Sequence, residues 1–149
     1  MNLHVSSTLD HFIEDNYSDG ELTDKTLSDL RSTFSQYGHT PSEAMWVGLR
    51  ALVDALVGMA NGTLQHLPYL SPLDPGVGKT EAIVHFIRNL VASPSRGDIG
   101  VLICVSHLRE IGTLIHKMGL AREDVAVFTR DDETNARGPM ISTRRGFSS

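Results

Sequence analysis

The sequence predicts an α/β fold, a parallel sheet covered by helices, with a helical extension on its N-terminal side. Three observations predict it. From Leu22 to Ala60 the apolar residues recur at helical spacing. From Leu64 to Thr129 short apolar runs of strand length alternate with amphipathic stretches. Between a strand candidate and a helix, "SPLDPGVGKT" (Ser71 to Thr80) sets two glycines, a lysine and a threonine.

Taken in order, residues 1–20 read as a loosely ordered acidic lead-in in which "STLDHFIEDN" can make a helical turn or two. A helical extension follows over 21–62. "LTDKTLSDLRSTFSQY" places Leu27, Leu30 and Phe34 on one stripe and stops at Gly38. Thr40 is the expected N-cap of the next helix, with Pro41 at its first position and Glu43 closing a capping box. That helix carries Met45, Leu49, Leu52, Val53 and Leu56 to about Ala60, and "NGT" ends it.

Residues 63–130 form the expected α/β core. "LQHLPYLS" is a strand candidate weakened by Pro68, which has no N–H for a ladder. "EAIVHFIRNLV" sets Ile83, Phe86, Ile87 and Leu90 at helical spacing. "IGVLICVS" is a continuous apolar run, as expected of a parallel strand covered on both faces. "LREIGTLIHKMG" is helical again through Leu108, Ile111, Leu114, Ile115 and Met118, and "DVAVFT" is the third strand. This is the order of two βαβ units. After Arg130 the pattern is lost, and 131–149 reads as a polar, disordered tail.

Composition bounds the function. The chain of 149 residues fits one ordinary domain, and 40% apolar with 21% charged residues is a globular balance. No apolar run approaches the roughly 20 residues needed to cross a bilayer. One cysteine, Cys104, excludes an internal disulfide and reads as a small buried side chain, which fits a cytoplasmic setting. Residues 1–40 hold seven acids against two bases, while 41–149 hold eleven of each, so the net charge of −5 is N-terminal. No basic face suggests nucleic acid. The histidines never cluster with thiols or carboxylates at zinc spacing. His85 lies beside the apolar stripe of its helix and reads as a packing residue.

The glycine-rich stretch carries the chemistry. The full phosphate-loop signature is G-x-x-x-x-G-K-[ST] between a strand and a helix. Gly78, Lys79 and Thr80 match it, Leu73 stands where the first glycine belongs, and Gly76 makes the segment G-x-G-K-T. Gly76 and Gly78 permit backbone conformations closed to other residues. The amides from Val77 to Glu81 lie at a helix N-terminus, where unpaired N–H groups and the dipole favour an anion. Lys79 reaches phosphate as a mobile point charge, and Thr80 offers a hydroxyl to Mg²⁺. A plain Gly-rich turn is the alternative. The reading adopted is a cradle for ATP and Mg²⁺.

This loop resembles motif I of the superfamily 1 and 2 (DExx-type) helicases, P-loop NTPases whose loop often begins with Ala or Ser. "VLICVSHLREI" is similar to their motif Ia, with Arg109-Glu110-Ile111 in place of R-E-L, one extra residue, and Ser-His for Pro-Thr. "VAVFTR" keeps Thr129 but not the glycine that usually follows. The resemblance covers roughly residues 64–135 and implies the front of a first RecA-like lobe, truncated before Walker B. It implies that Ser106 and Arg109 touch a single nucleic-acid strand, although capping and solvation explain them equally. Asp131, in "RDDE", is a possible Walker B acid, placed later than a strand-end acid should be. The function so implied is that of an ATP-binding, helicase-like or translocase-like hydrolase domain with Lys79 and Thr80 at its centre. Hydrolysis then belongs to a complete protein that supplies the missing motor lobe, or to a partner. The rival readings are a small P-loop phosphotransferase and a non-enzymatic interaction module with a vestigial loop.

Overall fold

The computed structural model of the chain describes residues 6–93, 96 and 98–129, with the backbone alone at 6–19 and at 122. The helices are α1 (Ser6–Gln36), α2 (Glu43–Ala60), α3 (Lys79–Val91) and α4 (Leu108–Met118). The chain divides into two compact units, Met1–Ile99 and Gly100–Ser149.

The expected parallel sheet is absent: among the described residues no strand is formed. This corrects the α/β fold class, and the reason is pairing. A strand exists only against a neighbouring backbone, and an apolar run of strand length carries no information about its partner. The three candidate runs lie as unpaired coil, with Leu70, Leu102 and Phe128 exposed at 94%, 86% and 72%. Local preference still shows, since Val125 has φ −126° and ψ 129°, within the β region. Cys104, expected to be buried, is exposed in the second run.

The first unit is a packing of α1, α2 and α3, each helix touching the other two. α1 starts at Ser6, well before Leu22, and no proline interrupts the sequence from there to Gln36. Its core face is Leu22, Leu27, Leu30 and Phe34. The helix ends in a Schellman motif: Gly38, at φ 65°, donates to the Ser35 carbonyl (3.1 Å), and His39 donates to that of Phe34 (2.8 Å).

The N-cap of α2 is Ser42, not Thr40; its hydroxyl accepts from the Met45 amide at 3.3 Å. Leu49, Val53 and Val57 form its buried stripe, and Gly62 (φ 67°) ends it with a second Schellman turn onto Gly58 and Met59. α3 is covered over a wide arc that includes Ala82, Val84, Phe86, Ile87 and Leu90. Leu30, Leu49, Val53 and Leu90 are at most 1% exposed. Each such side chain contributes about 1.5–3 kcal/mol relative to leaving it in water.

Several polar groups inside this packing are paired across helices. Asn89 donates to Asp29 (3.0 Å) and to the buried Thr26 hydroxyl (3.4 Å), and the Thr23 hydroxyl donates to Asp54 (3.2 Å). These pairings fix the register of α1 on its neighbours.

In the second unit, α4 follows His107 and ends at Gly119, whose left-handed backbone (φ 58°) returns its amide to Ile115. Of its expected stripe, Met118 is buried and Leu108 is 64% exposed. A 3-10 turn at Arg122–Asp124 follows. No described helix is long and apolar enough to cross a membrane.

Candidate functional site

The stretch from Leu73 to Glu81 is a loop that closes on the first turn of α3. Two left-handed glycines shape it, Gly76 at φ 85° and Gly78 at φ 98°. Gly78 is the N-cap of α3 and supplies no side-chain acceptor, and the first helical bond runs from Ala82 N–H to its carbonyl at 2.9 Å. The amides of Gly78, Lys79 and Thr80 therefore have no intrahelical acceptor, as at any helix start. Val77 is buried beneath the loop.

Lys79 is the first residue of α3, and its side chain turns back into the loop. The Nζ donates to the carbonyls of Leu73 (2.5 Å) and Asp74 (2.8 Å). An ammonium has three N–H bonds, so one remains for another acceptor. Lys79 thus ties the start of the loop to its end and places a positive charge against the helix N-terminus. Thr80 is exposed on the first turn and Glu81 is half-buried beside it.

Two helices hold the loop from outside. At Gly48 of α2 a Cβ would overlap the Leu73 side chain, which occupies the notch that glycine leaves. At Gly78 a Cβ would overlap the ring tip of Phe34 from α1. Phe34 itself makes a T-shaped contact with His39 (centroids 4.9 Å, planes at 87°) and a tilted one with Trp46 (5.6 Å, planes at 49°). The Arg31 guanidinium lies over the Trp46 ring, 5.0 Å from its centre.

His85, nearly two turns into α3, is 8% exposed and shares a 2.8 Å hydrogen bond with the Thr33 hydroxyl. Burial lowers its pKa below the ordinary 6.5; Asp29 opposes that shift, Arg88 adds to it, and Glu81 opposes it. It is a packing residue that works as the neutral imidazole.

The fit to a phosphate group is good in three respects. The loop has glycine where the backbone is left-handed, free amides at a helix start, and a lysine already turned into it. Gly76, Val77, Gly78, Lys79, Thr80 and Glu81 are consecutive and run from this loop into the first turn of α3. Ser106 and Arg109 stand in the second unit, both exposed, around the start of α4. Asp131 lies outside the described residues. The sequence did not single out Phe34 and Gly48 as loop supports. Phe34 read as core by spacing.

No family model, curated protein or solved structure matches the chain. The resemblance to P-loop NTPases of the helicase type is overturned by this together with the fold: the loop is carried by a helical packing, and among the described residues none of the strands that define the family's lobe is formed. Short loop motifs recur without common ancestry, because few sequences satisfy a left-handed turn into a helix.

Proposed function

We propose that the chain binds the phosphates of a nucleotide, ATP with Mg²⁺, in the loop from Leu73 to Glu81. The observation that carries the reading is the inward-turned Lys79, whose Nζ lies on the Leu73 and Asp74 carbonyls beside the open amides of α3. The amides of Gly78 to Thr80 and the remaining Lys79 N–H would hold phosphate oxygens. The Thr80 hydroxyl would supply one ligand to Mg²⁺, which keeps the rest as water and phosphate. The helicase and nucleic-acid parts of the expectation, Ser106 and Arg109 included, rested on the resemblance and are left aside. A cytoplasmic setting, where ATP is abundant, goes with the reading.

Thermal unfolding of the full chain with and without millimolar ATP and Mg²⁺ tests it. A ligand at a hundred times its Kd stabilises the fold by about 2.7 kcal/mol, several degrees for a chain of this size. The expected result is a shift in the native chain that is absent in Lys79→Ala. A cooperatively folding native chain indifferent to ATP removes the reading and leaves a non-enzymatic interaction module.

A further inference from the structure

The geometry points to Phe34 as a positioning residue of the phosphate loop, an inference that rests on the nucleotide reading for its ligand. Its ring approaches Gly78 tip first: Cζ lies nearest the site of a Gly78 Cβ, then Cε1 at 2.9 Å, then Cε2 at 3.4 Å. Gly78 is the N-cap from which the first amides of α3 are aimed, so the ring sets the aim of those donors. Phe34 has little freedom of its own. The Schellman turn brings His39 against the ring, and Trp46 packs on it as well.

Gly76 shows what the ring does by contrast. It is also left-handed, yet nothing lies within 4 Å of where its Cβ would be. The loop is thus clamped at Gly78 by α1 and at Leu73 by the Gly48 notch of α2, with open space at the Gly76 Cβ position between them. That arrangement keeps the Leu73 carbonyl on Lys79 while leaving room at Gly76 for an approaching anion. Without the ring, the loop samples other conformations, and the apparent Kd rises in inverse proportion to the fraction still competent.

Titration calorimetry with ATP and Mg²⁺, and ¹⁵N relaxation of the Gly76 to Thr80 amides, on the full chain, test the inference together. In Phe34→Ala and in Phe34→Met, a milder variant that keeps an apolar side chain, the loop amides should lose order. ATP affinity should fall about tenfold if a tenth of loops remain competent. Leu30→Ala, in the core of the same helix one turn away, should leave both readouts near native while lowering stability comparably. The inference is overturned if folded Phe34→Met keeps native loop order and Kd, or if Leu30→Ala moves them equally. If the native chain binds no ATP, the nucleotide reading fails by itself, and the relaxation data still decide whether Phe34 orders the loop.

Discussion

Gly76→Ala and Gly78→Ala make the same chemical change at two left-handed positions of one loop and should differ sharply in cost. Both residues have positive φ, 85° and 98°, where an L side chain costs about 1–2 kcal/mol. At Gly76 that is the whole cost, because the added methyl meets open space. At Gly78 the methyl overlaps the Phe34 ring, which is held by His39 and Trp46 and cannot retreat without disturbing the end of α1. Forcing a methyl into such packing adds about 1–3 kcal/mol. The sum is about 2–5 kcal/mol at Gly78 against about 1–2 at Gly76. Urea unfolding followed by circular dichroism reads both, with unchanged m-values showing that stability alone has moved. Equal costs, or a larger cost at Gly76, refute the placement of Phe34 on the loop.

Other outcomes follow from the helical packing. His85→Gln should flatten the acid side of the stability profile. A buried imidazole with lowered pKa supports the fold fully above its unfolded value of 6.5, and that support is lost as pH falls through the lower folded value. Unfolding of the native chain and the variant between pH 7 and 5 checks the difference. Asn89→Ala should cost about 1–3 kcal/mol in urea unfolding, since Asp29 and the buried Thr26 hydroxyl lose their donor. Ser42→Ala should cost about 1 kcal/mol by the same assay, and Thr40→Ala less than about 0.5 kcal/mol, because the cap hydroxyl belongs to Ser42.

The helices were legible because their signal is local. Leu27, Leu30 and Phe34 announce a buried stripe by spacing alone, and Gly38 and Gly119 mark helix ends by the backbone they permit. The start of α1 was not legible. Asn16, Ser18, Asp19 and Gly20 are weak helix formers, and nothing in their propensity shows that the helix runs through them. The sheet was misread because "VLICV" and "VAVF" state a strand preference but not a partner. The cap of α2 slipped by two residues because Thr40 and Ser42 both offer a hydroxyl, and the choice between them depends on how the chain enters after Gly38. Within the loop, the left-handed backbone at Gly76 and Gly78 was readable from residue type. Their supports Phe34 and Gly48 were not, because each lies on a separate helix, brought to the loop only by packing.

The most direct test of the phosphate reading is equilibrium titration of the full chain with ATP and Mg²⁺, beside Lys79→Ala under the same conditions. Saturable binding to the native chain is expected, weakened at least about tenfold in the variant, since a charge-assisted hydrogen bond is worth about 1.5–3 kcal/mol. A folded native chain that shows no saturable binding, or a Lys79→Ala variant that binds equally well, contradicts it.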